Sequence, residues 1–144
     1  MGSPVERRIV RVLAAVIQRQ GRYLVCLRPK HKRHGGLWEF PGGKLEAGET
    51  LRDAARRELK EELGVELAAF GDHVFSQQDG ASQFRIEFVR VEISGEVRPL
   101  EHENLRWVTP VELLALSLAP CDRAFAETLG AKATVLDSQQ RDAR

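Results

Sequence analysis

The chain has 144 residues, of which 42% are hydrophobic and 30% are charged, and its formal net charge is +1. This size predicts a single domain, residues 1–144, that can bury a core without disulfides. So small a net charge excludes a global field that would recruit a nucleic acid polymer or an anionic membrane. Two cysteines are too few for a disulfide framework and suit a reducing cytoplasm, and no apolar run is long enough to span a bilayer. We expect residues 1–7 and 137–144 to be flexible.

The first predicted elements form a β-hairpin. Ile9–Gln18 is mostly apolar and predicts a buried strand, and after a Gln-Gly turn Tyr23–Leu27 predicts the second strand. The loop 29–36 that follows is basic. Its histidines, His31 and His34, have no cysteine or acidic neighbour in the sequence, so a solvated loop is preferred to a transition-metal site.

The next predicted element is an amphipathic helix with marked ends. Thr50 and Asp53 have the spacing of a capping box, and Gly64 is suited to end the helix. Apolar residues recur at every fourth position between these ends, so one stripe should face a core. The stripe consists of Leu51, Ala55, Leu59 and Leu63.

The second half of the chain predicts further strands and two helices. Phe84–Ile93 alternates in polarity, and a slip of phase at Phe88–Val89 predicts a β-bulge. Leu105–Val108 predicts a strand, Thr109–Glu112 has the residues of a helix start, and a last helix is expected over about Cys121–Leu129. Strands flank each helix, which predicts an α/β fold with a mixed sheet and helices on both faces.

Three carboxylates share one face of the predicted helix. At 100° per residue, Glu58, Glu61 and Glu62 fall within one arc, while the nearest cations lie on the opposite side. A hard cation such as Mg²⁺ would relieve their mutual repulsion. A solvated acidic face is the alternative. The glycine pair before Lys44, where a loop can approach phosphates, and the extra carboxylate of Glu49 favour the metal site.

The segment from Gly43 to Val65 resembles the Nudix box at each defined position. Gly43 is followed after five residues by Glu49, and after seven more by Arg57-Glu58-Leu59-x-Glu61-Glu62-x-Gly64-Val65. Just upstream, Leu37–Lys44 is similar to the segment that leads into the box in the MutT branch. The resemblance extends from about Val10 to Leu129, and it implies the Nudix fold, an α/β/α sandwich around a mixed β-sheet.

The resemblance implies a metal site. Glu58, Glu61 and Glu62 would bind Mg²⁺, for which Mn²⁺ could substitute, together with the backbone carbonyl of Gly42. The same three glutamates are the first candidates for catalytic residues.

The resemblance also implies supporting residues. Arg57 would orient the carboxylates through Glu49. In this branch a glutamate six residues before a tryptophan contributes to metal binding or base catalysis. Counting back from Trp107 identifies Glu101, with Glu103 as the alternative.

Five residues are candidates for binding the nucleotide. Arg28 matches an arginine that this branch places near the nucleotide, although a surface arginine at a strand end is the alternative. Trp38 could stack on a base or pack in the core. Glu39 and Lys44 flank the glycine pair. Asp122 ends a Leu-Ala-Pro-Cys-Asp segment that resembles the CTP pyrophosphohydrolases, and 8-oxo-dGTP hydrolases have asparagine there; a simple helix-start acid is the alternative.

The aspartate at position 122 suggests which nucleotide bases the protein prefers. An ionised Asp122 accepts hydrogen bonds and donates none. Cytosine offers an amino group, and guanine-type bases offer N1–H beside an amino group, whereas adenine, uracil and thymine match a carboxylate less well. We therefore expect a preference for cytosine or guanine-type nucleotides.

The resemblance implies Mg²⁺-dependent hydrolysis of (d)NTPs to the monophosphate and pyrophosphate, by a cytoplasmic monomer or homodimer. The substrates would be damaged or modified nucleotides such as 8-oxo-dGTP or 5-substituted (d)CTP. Hydrolysis of an NDP-sugar or ADP-ribose is an alternative, which the absence of proline and tyrosine from residues 80–83 disfavours. A non-catalytic nucleotide-binding regulator is a further alternative, but such proteins usually lose box glutamates, and all are present here.

Overall fold

The computed structural model describes residues 8–130, so the expectations for residues 1–7 and 137–144 lie outside it. No helix in the described range is long and apolar enough to cross a membrane. The range contains β1 (Val10–Val16), β2 (Gln18–Arg19), β3 (Arg22–Leu27), β4 (Trp38–Glu39), β5 (Gly42–Lys44), α1 (Leu51–Leu63), β6 (Glu66–Gln78), β7 (Phe84–Ser94), β8 (Asn104–Val108), α2 (Pro110–Ala115) and α3 (120–130).

A mixed four-stranded sheet, in the order β5-β1-β7-β6, forms the centre of the fold. The strands β1 and β7 are parallel, with Val10 opposite Phe84, whereas β5 and β6 are antiparallel to their neighbours. A second sheet is antiparallel: β3 pairs with β2, β4 and β8. The expected mixed sheet is thus confirmed, and the division of the strands into two sheets is an addition to it.

Helices cover both faces of the mixed sheet, and successive side chains of β1 therefore enter two different cores. Leu13 and Ala15 belong to the core that contains the buried side chains of α1, and Ala14 and Val16 belong to the core that contains those of α2 and α3. The central strands are therefore apolar on both sides, as strands between helix layers must be. The expected α/β/α sandwich is confirmed.

The helix α1 begins and ends where the sequence predicts. Thr50 Oγ1 accepts the Asp53 N–H at 3.1 Å, and the Asp53 carboxylate accepts the Thr50 N–H at 3.1 Å. Gly64, with φ of 69°, donates to the Lys60 carbonyl at 3.0 Å and ends the helix. Leu59 is fully buried, and such a leucine contributes about 1.5–3 kcal/mol. This packing presses α1 against the sheet and fixes which face its glutamates present.

The strand β6 was not predicted, because three irregularities in its pairing with β7 destroy the two-residue periodicity. One of them is the slip expected at Phe88–Val89. His73 lies opposite Val89 and Phe75 lies opposite Phe88, so the extra residue is Val74 in β6. The prediction of a bulge in β7 itself was wrong about the strand, because β7 pairs with β1 without interruption. The apolar run in β7 arises because Phe88 and Val89 face different cores.

Candidate active site

A cavity of about 690 Å³ is lined by residues of both sheets, α1, the loop 29–36, the loop 95–103 and the start of α3. Such a volume is typical of sites for small molecules. Glu101 lines it and Glu103 does not, so the structure places the first of these two alternatives at the site. The predicted site residues that line the cavity are Arg28, Glu39, Gly42, Lys44, Glu58, Glu61, Glu62, Glu101 and Asp122.

Two glycines allow β5 to lie against α1 and β1. A Cβ on Gly42 would overlap the backbone carbonyl of Leu13, and a Cβ on Gly43 would overlap the carboxylate of Glu58. In this position the Gly42 N–H donates to Glu62 Oε2 at 3.0 Å. The glycine pair therefore brings backbone polar groups directly against the carboxylates of the helix.

Arg57 supports this cluster from outside the cavity. Its Nε and Nη2 donate to the two carboxylate oxygens of Glu49, each at 2.8 Å, and its Nη1 donates to Glu58 Oε1 at 2.7 Å. Nη2 also donates to the Lys44 carbonyl at 3.0 Å. The hydrogen bonds from Arg57 lower the pKa of Glu49 to about 2. Arg57 and Glu49 do not line the cavity. Arg57 contacts Glu58 directly, and Glu49 holds Arg57, so both have a supporting position.

Burial and neighbouring negative charges disfavour the ionised forms of Glu58 and Glu62, two of the carboxylates that line the cavity. Burial raises the pKa of Glu58, against the effect of Arg57, and the charges of Glu61 and Glu101 raise it further. Burial raises the pKa of Glu62 well above its ordinary value, and the charge of Glu58 adds to this effect while the hydrogen bond from the Gly42 N–H opposes it. A cation in the cavity would reverse these shifts.

The donor set fits a hard divalent cation. No three His, Cys, Asp or Glu side chains in residues 8–130 form a ready-made metal cluster. Mg²⁺ does not require a preformed cage, because water and substrate phosphates complete its coordination beside protein carboxylates. Glu58, Glu62 and Glu101 offer only oxygen ligands, and their charges influence one another. Oxygen ligands suit Mg²⁺ or Mn²⁺ better than zinc, which favours nitrogen and sulfur.

Asp122, near the start of α3, has a buried side chain, and its Oδ2 accepts the Phe40 N–H at 2.9 Å. Burial, and then the charge of Glu39, raise the pKa of Asp122 to about 8, against the hydrogen bond from Phe40. Asp122 is therefore mostly protonated near neutral pH. The residue type alone predicts an ionised carboxylate, whereas a pKa of about 8 favours a neutral carboxyl, which both donates and accepts.

Arg28 is not a free surface arginine. Its Nη1 donates to Glu39 Oε1 at 3.0 Å and to Oε2 at 2.8 Å, and its Nε donates to the Arg33 carbonyl at 2.7 Å. The ring of His102 approaches from the loop 95–103, with Nε2 at 3.3 Å from Glu39 Oε1. Glu39 is thus held from two sides at the edge of the cavity.

The basic loop 29–36 has an acidic partner, Asp79, that the sequence did not predict. Asp79 Oδ2 lies 3.2 Å from Arg33 Nε and 3.2 Å from His34 Nε2, and all three residues line the cavity. Arg33 and His31 are exposed, as expected for a solvated loop, and His34 is half-buried. The contacts with Asp79 are an addition to that expectation. No local signal could have revealed the contact, because Asp79 lies 45 residues beyond His34.

Trp38 lies apart from the other predicted substrate-binding residues. It does not line the cavity, and its side chain packs against the core that contains α2 and α3. The guanidinium of Arg106 lies 5.7 Å from the centre of its ring. Of the two interpretations of Trp38, the structure matches core packing.

The acidic helix lies against a glycine-rich strand beside a cavity of about 690 Å³, in an α/β/α sandwich. The sequence profile of the NUDIX domain matches residues 7–129, and the chain belongs to this family of hydrolases. Its members act on nucleotide substrates and generally use divalent metal ions.

Similar proteins and a similar solved structure agree with this assignment. CTP pyrophosphohydrolase of Escherichia coli K12 is 40% identical over 124 residues, which span 83% of this chain and 90% of that protein. Putative 8-oxo-dGTP diphosphatase 2 of Mycobacterium tuberculosis is 41% identical over 122 residues, spanning 82% and 86% respectively. The E. coli ORF135 protein, known from a solution structure, has 38% sequence identity to this chain. The two structures superimpose with a TM-score of 0.75 over 90% of this chain and 94% of that one. The expected family, fold and branch are confirmed.

Proposed function

We propose that the protein hydrolyses nucleoside triphosphates to the monophosphate and pyrophosphate with Mg²⁺ as its cofactor, and that it removes damaged or modified nucleotides from the cytoplasmic pool. One observation carries this proposal: a single cavity holds both the carboxylate cluster of α1 and the buried Asp122 beside Glu39. The relatives named for CTP and 8-oxo-dGTP support it.

Glu58, Glu61, Glu62 and Glu101 would hold the Mg²⁺ ion, with the carbonyl of Gly42 as a backbone ligand, and Mn²⁺ would substitute. When bound, the ion neutralises charge on the phosphate oxygens and makes water more acidic. The raised pKa of Glu58 and of Glu62 supports this assignment, because these carboxylates gain most from a nearby cation.

Side chains of the protein would bind the phosphates, accept a proton and hold the carboxylates in place. The ammonium of Lys44, which lies 4.7 Å from the centre of the Phe84 ring at the cavity wall, would attract the phosphate chain. A glutamate of the cluster would accept the proton of the attacking water. Arg57 would keep Glu58 in place through its 2.7 Å hydrogen bond.

The base would bind beside Glu39 and Asp122. Glu39 is paired with Arg28, so it is an acceptor, and the neutral Asp122 adds a donor. Cytosine and guanine-type bases both present a donor beside an acceptor, which matches this arrangement. Adenine, uracil and thymine also present a donor beside an acceptor, so the preference for cytosine or guanine-type nucleotides rests on the names of the relatives. The substrates would then be forms such as 8-oxo-dGTP or 5-substituted (d)CTP.

A panel of normal and damaged (d)NTPs with Mg²⁺, together with an NDP-sugar and ADP-ribose, tests this proposal. We expect pyrophosphate as a product and the highest kcat/KM for a cytosine or guanine-type nucleotide. Cleavage of ADP-ribose or the NDP-sugar without release of pyrophosphate from any NTP would reassign the substrate. Binding of nucleotides without any hydrolysis would favour a non-catalytic regulator.

A further inference from the structure

The loop 95–103, which carries Glu101, is attached at one end to the carboxylate helix. The Arg98 N–H donates to the Leu63 carbonyl at 2.9 Å, and the Leu100 N–H donates to the Glu62 carbonyl at 3.0 Å. These bonds use carbonyls that the end of a helix leaves unpaired. The residue directly before Glu101 is therefore fixed to the backbone of a candidate metal ligand.

The other end of the loop is attached to the antiparallel sheet. The Glu103 N–H donates to the Leu27 carbonyl at 3.3 Å. Between these attachments the side chain of His102, only 5% exposed, turns inward and places Nε2 at 3.3 Å from Glu39 Oε1. Arg28 holds Glu39 through both carboxylate oxygens, so His102 has an immobile partner.

The chemistry of this contact defines the role of each ring nitrogen. The Glu39 carboxylate only accepts hydrogen bonds, so Nε2 of His102 carries a hydrogen and donates it. The other nitrogen, Nδ1, is buried and is the only buried side-chain nitrogen or oxygen in residues 8–130 without a hydrogen-bond partner. Burying an unpaired nitrogen costs free energy, and an apolar side chain would avoid this cost. Because Nδ1 makes no hydrogen bond, the only polar contact that the His102 side chain makes within the described part of the chain is the one from Nε2 to Glu39.

We propose that His102 is a positioning residue, whose hydrogen bond to Glu39 fixes the loop so that Glu101 faces Glu58 and Glu62. Glu101 lines the same cavity as Glu58 and Glu62, and the backbone of Leu100, directly before it, is bonded to the Glu62 carbonyl at 3.0 Å. The bond also joins the two halves of the cavity, because Glu39 faces the proposed base site. The kinetic consequence rests on the proposed function, but the ordering of the loop does not.

The test compares His102→Leu, which removes the donor, with His102→Gln, whose amide nitrogen can reach the position of Nε2. His31→Leu is the matched control, since His31 is exposed and does not line the cavity. Amide hydrogen exchange at residues 101–103 is measured in the metal-free protein. We expect exchange to be about tenfold faster in His102→Leu, and close to wild type in the other two variants.

Kinetics supply the second measurement. We expect His102→Leu to lower kcat by about 10- to 100-fold, as loss of an orienting partner does, with little change in KM. The same substitution should have almost no effect in a Glu101→Gln background, since it acts through Glu101. Unchanged exchange in His102→Leu, equal losses in the Leu and Gln variants, or additive effects with Glu101→Gln would each overturn the proposal. If the wild type hydrolyses no nucleotide, the proposed function fails, and the exchange measurement still decides the role of His102.

Discussion

The guanidinium of Arg57 donates to both carboxylate oxygens of Glu49, with 2.8 Å from Nε to Oε2 and 2.8 Å from Nη2 to Oε1. This two-point contact orients the guanidinium plane, and Nη1 then reaches Glu58 at 2.7 Å. A residue outside the cavity thereby fixes the position of a carboxylate inside it. Only the planar fork of arginine can make all of these bonds at once.

We predict that Arg57→Lys lowers kcat by about 10- to 100-fold, because lysine keeps the charge but loses the two-point contact. Arg56→Lys, on the exposed side of α1, is the matched control and should change little. The pKa of Glu49 is lowered to about 2, so the stability that Glu49 gains from Arg57 is present above its ordinary pKa and is lost as pH falls toward 2. The deficit in Tm of Arg57→Lys should therefore shrink in acid. A variant with full activity would contradict this role.

We predict that Glu58→Gln, Glu61→Gln and Glu62→Gln each lower kcat by orders of magnitude without unfolding the protein. Their Tm values without metal should differ. The folded-state pKa of Glu62 is raised, so its contribution to stability is lost as pH rises, and Glu62→Gln should gain Tm most at high pH. Glu58→Gln gains less, because it weakens the contact with Arg57. Near-native activity in all three variants would reject the metal site.

We predict that the affinity for Mg²⁺ or Mn²⁺ increases with pH, because binding must displace protons from Glu58 and Glu62, whose pKa values are raised. Calorimetry in two buffers of different ionisation enthalpy would measure the protons released. In Glu62→Gln both the release and the pH dependence should decrease. Removal of metal with EDTA should abolish hydrolysis. An affinity that does not vary with pH would mean that these carboxylates are not the ligands.

The helix and its carboxylate arc could be predicted because their determinants are local. The capping box of Thr50 and Asp53 and the αL cap at Gly64 lie within the helix ends themselves. The arc of Glu58, Glu61 and Glu62 follows from helical geometry alone. The pairing of Arg57 with Glu49, eight residues away, was implied by the resemblance to the Nudix box and not by helix geometry.

The remaining features depend on contacts between distant segments. Asp79 meets the basic loop only after β6 and β7 have paired, and irregular pairing concealed β6 itself. The raised pKa of Asp122 depends on its burial in the folded protein and on the charge of Glu39, about 80 residues earlier in the chain. The sequence therefore shows that position 122 is an aspartate, whereas the pKa of its carboxyl depends on the fold.

We predict that Asp122→Asn stabilises the protein as pH rises. The folded-state pKa of Asp122 is about 8, above its unfolded value, so the wild type loses stability between about pH 4 and pH 8, at up to about 1.4 kcal/mol per pH unit. Asparagine does not titrate, so the difference in Tm in favour of Asp122→Asn should grow across this range. A difference that is constant with pH would mean that Asp122 is ionised in the folded protein.

The last prediction concerns the base. The Phe40 N–H occupies Oδ2 of Asp122, so the protonated carboxyl and an asparagine amide can both accept from Phe40 and donate with their other atom. Below about pH 7, Asp122→Asn should keep the wild-type ratio of kcat/KM between guanine-type and cytosine nucleotides within about twofold. Above about pH 8 the wild-type carboxyl loses its donor, and its ratio should change while that of the Asn variant does not. Asp122→Ala lacks a donor at every pH, and loss of such a hydrogen bond, worth about 1–3 kcal/mol, should change the ratio by about 5- to 150-fold. If all three proteins share one ratio at every pH, Asp122 serves only to hold Phe40, and the base is selected elsewhere in the cavity.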